Sequence, residues 1–213
     1  LALLGWSPGG DREIMPEDEM IRLFTLDGIQ KKAAVFDTTK LEWMNGQYLS
    51  ALPAAELLAP VRRQLARMGL PDDGRDLRPL IDAVKARSRT ILHVAEQVAV
   101  RLDPARAALD PKGEALIRKM GPAFAGNLTL AAGTLESLPP AEWTAGPLLD
   151  ALKTMADGKG LKLGDALQPI RVALTGSTVS EPVNELLAVV GRDRSLQRIR
   201  EVATRWNGGS PPG

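Results

Sequence analysis

The stretch LKLGDALQPIRVALTGSTVSEPVNELLAVVGRDRSLQRI, Leu161–Ile199, carries the pattern that organises the reading of this chain. A cationic helix ends in Thr175-Gly176, a hydroxyl-rich loop follows, and Pro182 opens a second helix. Arg171 and Thr175 are four apart, so on a helix they share a face. Gly176 is placed to stop that helix, Ser177, Thr178 and Ser180 supply hydroxyls, and Pro182 falls where the next first turn is expected. At such a junction the last carbonyls of one helix and the first amides of the next have no partner inside their helices. Unpaired RNA bases, which expose edges carrying both donors and acceptors, need that mixture. A capped helical hairpin with no ligand fits the same residues.

Working outward, helix signals recur. Pro16 at a first helical position precedes Glu17, Asp18 and Glu19, acids that the helix dipole favours in the first turn. Asp37 or Thr38 is a candidate N-cap for the stretch through Tyr48. Further helices are expected at Pro53–Met68, Leu77–Arg87, Thr90–Arg101, Pro111–Met120 and Pro122–Leu138, with Gly and Pro between them. The composition, 44% hydrophobic but 4% aromatic and rich in Ala and Leu, agrees with an all-α protein. With 213 residues the chain can bury a real core. Divisions fall near Leu52-Pro53 and between Leu102 and Pro111. The opening LALLGW reads as the end of a helix whose start is absent, and the Gly/Pro-rich end has nothing to bury and reads as a disordered tail.

Composition also excludes chemistry. Zero Cys removes disulfides, thiolate nucleophiles and thiolate metal sites, and fits a reducing, cytoplasmic setting. The single His93 has no triad context, no G-x-S-x-G occurs, and DGKGLKLG around Gly158–Gly164 lacks phosphate-loop spacing. Asp72 and Asp73 sit in a Pro/Gly turn and read as solvated. Trp43 and Trp143, beside aliphatics at helical spacing, read as core; Trp206 is left open between packing and base stacking. Net charge is only +1, yet residues 1–30 carry net −4, residues 61–89 net +4 and residues 192–205 net +3. Such asymmetry fits a face turned toward a polyanion, or simply solvated helices.

Three stretches in order carry a resemblance: LALLGWSPGGDREI at Leu1–Ile14, VFDTTKLEWMNGQYL at Val35–Leu49, and AEWTAGPLLDALKTMADGKGLKLGDALQPIRVALTG at Ala141–Gly176. Together they resemble the C-terminal stem-contact and anticodon-binding region of bacterial-type, class I glutamyl-tRNA synthetases. The resemblance implies a stem-contact region truncated at its start (1–51), two helical anticodon-binding subdomains (52–108 and 109–206) and a tail (207–213). It implies a catalytic domain of the same chain ahead of residue 1, holding ATP and Mg, so that these residues carry no catalytic group, cofactor or metal and are inactive alone. The implied partner is glutamate tRNA, with no membrane and no DNA. By resemblance Arg87 reads the third anticodon base, Arg171 lies at the anticodon loop, and Ser180 and Val183 touch the first two bases. Lys162, Arg192 and Arg194 are assigned to the tRNA backbone. The family's S-P-G-L-like turn is here Ser180-Glu181-Pro182-Val183, and the added carboxylate is placed to accept from a base amino group or to repel phosphate. Readings from other classes are a helical module that binds an acidic protein, and a stand-alone enzyme on a helical scaffold.

Overall fold

A computed structural model describes residues 5–10, 12–30 and 35–207. Among them the chain forms eleven α-helices and three short 3₁₀ turns, and an isolated antiparallel bridge joins Trp6 to Ile29. The fold is all-α, as the composition predicts. The expectations for residues 1–4 and for the tail from 208 onward lie outside the described residues.

The leading part holds α1 (Glu17–Leu23) and α2 (Thr38–Ala51). Pro16 stands at the N-cap, one residue before the helix, with an extended ψ of 151°. Asp37 caps α2 by accepting from the Lys40 N–H at 3.0 Å. The Tyr48 hydroxyl, on α2, donates to the Met15 carbonyl at 2.8 Å and accepts from the Met15 N–H at 3.3 Å, which ties the chain ahead of α1 to α2. Trp43 departs from the core expectation and is 38% exposed. The buried face of α2 is Gly46 and Leu49, whose mid-line lies about 90° around the helix from Trp43.

Next, α3 (Ala54–Arg67), α4 (Arg78–Lys85) and α5 (Ile91–Leu102) close one hydrophobic cluster. Leu57, Val61 and Leu65 recur every fourth residue on α3, and Ile81, Val94 and Val98 face the same core. A second cluster gathers α6 (Pro111–Met120), α7 (Pro122–Glu136), α8 (Ala145–Gly158), α9 (Leu163–Thr175), α10 (Val183–Val190) and α11 (Arg192–Trp206). Helix α7 is its centre and touches α8, α9 and α11. Its stripe Phe124, Leu128, Ala131 and Leu135 is fully buried. Trp143 and Trp206 both pack here: the Trp143 indole N–H donates to the Leu187 carbonyl at 2.9 Å, and Trp206 lies edge-on to Phe124.

Two features join the units. Val189 of α10 packs against the first cluster, and α5 touches both α9 and α10. The connecting segment crosses the end of α9, where the Asp110 N–H donates to the Gly176 carbonyl at 2.9 Å. Gly176 has a φ of 72°, and a Cβ there would lie 1.9 Å from the Ala108 carbonyl oxygen. The residue that stops α9 is thus also the point where two backbones meet. Asp110 then caps α6 by accepting from the Gly113 N–H at 2.6 Å.

Gly176→Ala combines a left-handed backbone with a backbone clash and is expected to cost at least about 2 kcal/mol in urea unfolding. Gly126→Ala, in the middle of α7 with open space around its Cα, serves as the control and is expected to stabilise by about 0.5–1 kcal/mol. A pH series tests the cap. Burial pushes the Asp110 carboxyl up, but the donors from Gly113, Ser177 and Lys112, with the charge of Lys112, together hold the group below its ordinary value. A lowered folded-state value gives stability that is present above the unfolded pKa and lost as pH falls. Asp110→Ala is therefore expected to cost about 1 kcal/mol near pH 6, with the difference from wild type shrinking below about pH 4.

Candidate nucleic-acid interface

The junction of the two units gathers charge. Arg87 lies two residues past the end of α4, Arg101 on the last turn of α5, Arg171 on α9, and Ser180-Glu181 in the loop before α10. The Glu181 carboxylate is 2% exposed, and Arg101 is equally buried. Arg101 grips it with two parallel bonds, Nε to Oε1 at 2.9 Å and Nη2 to Oε2 at 2.6 Å, the strong fork geometry. The Arg101 Nη1 donates to the carbonyl and to the side chain of Gln97, so every nitrogen of this guanidinium is used. Arg87, 42% exposed, brings Nη2 to 3.3 Å from the same Oε2 and also donates to the Ala83 carbonyl.

Arg171 braces the loop from the other side. Its Nη1 donates to the Ser180 carbonyl and hydroxyl, each at 2.9 Å, and to the Glu181 carbonyl at 3.0 Å. Its Nε is buried with no acceptor. Burial lowers the pKa of Arg171 from its ordinary value, Glu181 opposes that shift, and the like charge of Arg87 adds to it. Three guanidiniums around one carboxylate leave a local surplus of positive charge. Arg87 is the member whose unpaired donors face water.

The sequence-predicted residues part company here. Arg87, Arg171 and Ser180 come together around Glu181. Val183, the first residue of α10, is buried in the second core and has no side-chain surface to offer a base. Lys162 is exposed but caps the far end of α9, about 14 Å along the axis from Arg171. Arg192 is drawn onto its own fold, donating to the Glu136 carbonyl at 2.9 Å. Arg194 is exposed and lines a crevice between the units with Leu65, Leu77 and Leu102.

Two expectations about the junction are corrected. Glu181 does not face outward; its carboxylate is turned into the protein, because Arg101 supplies the donors that an ionised carboxylate needs once out of water. Nor are all the carbonyls at the end of α9 free, although those of Leu174 and Thr175 accept no bond from the described residues. Those of Arg171, Val172, Ala173 and Gly176 accept from the Thr175 hydroxyl, the Gly176 N–H, the Arg198 Nε and the Asp110 N–H, as buried backbone must. Arg101 escaped sequence reasoning, although it left a signal: with Val94 and Val98 it continues the apolar stripe of α5, the place where an arginine must find a buried partner.

Among the described residues no group of His, Cys, Asp or Glu could hold a metal ion, and no helix is long and apolar enough to cross a membrane.

Residues 42–203 match the family described as an anticodon binding domain. The chain belongs to that family. Members with similar sequence include the glutamate–tRNA ligase of Acidothermus cellulolyticus, 38% identical over 211 residues, and glutamate–tRNA ligase 1 of Methylorubrum extorquens, 37% identical over 210. The alignments cover 95% and 94% of this chain but 41% and 43% of those proteins. A crystal structure of a glutamate–tRNA ligase from Elizabethkingia meningosepticum superposes with a TM-score of 0.80 at 25% identity, over 96% of this chain and 40% of the other. This anticodon-binding chain therefore spans about two fifths of the length of the ligases it matches.

Arg101→Ala strands the Glu181 carboxylate in the interior, with only the Arg87 contact left. The expected cost is about 3 kcal/mol in urea unfolding, the scale for breaking one side of a buried pair. A loss under about 1 kcal/mol, the scale of an exposed ion pair, would contradict the burial described here.

Proposed function

We propose that this chain grips glutamate tRNA by its anticodon arm and reads the third anticodon base with Arg87, as the tRNA-recognition part of a cytoplasmic glutamate–tRNA ligase. The single observation that carries the reading is the half-exposed Arg87 fork, held beside Arg171 at a junction with surplus positive charge, in a chain of the anticodon-binding family. The ligase names of its relatives support the choice of tRNA.

The chemistry of discrimination follows from donors and acceptors. Cytosine offers O2 and N3 acceptors on its Watson–Crick edge, which match the N–H groups of a guanidinium. Guanine offers two N–H donors there, which oppose them. Glutamate and glutamine tRNAs differ in this way at the third position, so Arg87 would favour the former. Arg171 shapes the loop that receives the anticodon, and the Ser180 hydroxyl stands at its edge. Lys162 and Arg194, exposed and away from the reader, would contribute backbone contacts that strengthen binding without selecting sequence. Arg192, already engaged, would contribute least of the three.

In the whole ligase, the glutamate α-carboxylate would attack the α-phosphorus of ATP and expel pyrophosphate, and a terminal ribose hydroxyl of the tRNA would then take the acyl group from the adenylate and release AMP. ATP and Mg would be held by residues outside this chain. The role here is binding and selection.

Two glutamate tRNA transcripts, differing only in C or G at the third anticodon base, test the reading by binding titration at about 50 and 200 mM salt. The expected result is a preference for C of about tenfold or more, abolished by Arg87→Gln, with both affinities falling as salt rises. Equal binding of the two transcripts would contradict the base-reading role. Absence of RNA binding at low salt would favour a helical module with a protein partner.

A further inference from the structure

A grip on RNA calls for outward-facing cations, so the carboxylate at the centre of this cluster needs a reason of its own. We infer that Glu181, clamped by Arg101, is a positioning residue that aims Arg87 for the third anticodon base, an inference that rests on the tRNA-reading role proposed above.

The geometry carries it. Arg101 is 2% exposed and four of its five N–H groups are bonded, so it has no outward-facing donor to offer RNA; its bonds all serve to hold Glu181 and Gln97 in place. Glu181 in turn lends Oε2 to Arg87 at 3.3 Å, and the Ala83 carbonyl takes a second bond from the same Arg87 Nη2. That pins one corner of the Arg87 fork. Its Nε and Nη1 have no partner among the described residues, and the side chain remains 42% exposed. An unrestrained arginine samples many rotamers, all of which must be given up when it docks on a base; a pinned one has less to lose.

The clamp also spans the two units. Arg87 and Arg101 belong to the first, while Glu181 sits in the loop that Arg171 and Ser180 shape in the second. The reader of one base is thereby registered against the loop assigned to the other two. Without the carboxylate, the like charges of Arg87 and Arg171 would push the reader away, consistent with the direction in which each acts on Arg171.

The test removes the clamp without stranding a charge. Arg101→Met with Glu181→Gln neutralises both partners at similar volume, a kind of replacement that folded proteins tolerate. Binding of the C and G transcripts is measured for wild type, this double variant and Arg87→Gln, with thermal unfolding as the check on folding. The expected result is a wild-type preference of about tenfold that falls to within about twofold in the double variant, although Arg87 itself is intact. A general structural lesion would instead weaken both transcripts and leave their ratio. A folded double variant that keeps the wild-type ratio overturns the positioning role while leaving the tRNA reading standing. Equal binding by wild type itself overturns both, and is seen before any variant is made. Should the double variant not fold, Glu181→Asp draws the carboxylate back by one methylene: a ratio lowered at least about threefold supports the positioning role, and an unchanged ratio overturns it.

Discussion

A carboxylate withdrawn from water must find donors that close around it, and that constraint organises this molecule. Glu181 meets it with the full fork of Arg101 and the corner of Arg87. One arginine comes from α5 and the other from the turn after α4 of one unit, and the carboxylate from a loop of the other, so satisfying one buried charge fixes how the units meet. Val189 reaching into the first core and the Asp110–Gly176 backbone bond act on the same joint from other sides. The polar clamp supplies direction, and the apolar contacts supply most of the burial.

On the proposed tRNA-reading role, this arrangement would separate strength from selectivity. In the proposed role, the exposed cations at the start of α9 and along α11 would hold phosphates, and their loss would lower affinity for all sequences alike. A base edge demands donors at fixed angles, which exposed side chains on their own do not maintain. Placing Arg87 beside a buried ion pair gives it one fixed corner and one open edge. If Arg87 reads a base as proposed, the added residue in the Ser180–Val183 turn would be part of the support behind it rather than an obstacle before it.

Much of the fold was legible because it rests on local rules. Proline starts, acidic first turns, the Asp37 cap and the Gly176 stop located most helices to within two residues, and the all-α class followed from Ala and Leu with few aromatics. What the sequence concealed was non-local. Trp43 has the neighbours of a core residue, yet α2 turns a different face inward. The carbonyls at the end of α9 look free in sequence, but the 107–110 segment and α11 pass over them. Val183 and Glu181 both turn inward where the resemblance placed them outward: the valine at the first turn of α10 enters the core, and the acid two residues before it follows an arginine 80 residues away. No helical period or spacing rule reports a partner at that distance.

The measurement that tests the central claim most directly is hydroxyl-radical footprinting of glutamate tRNA bound to this chain. The account predicts protection concentrated in the anticodon loop and the adjoining stem, with the third anticodon nucleotide inside the protected stretch. Protection confined to the acceptor end or the elbow, with the anticodon loop as reactive as in free tRNA, would contradict it.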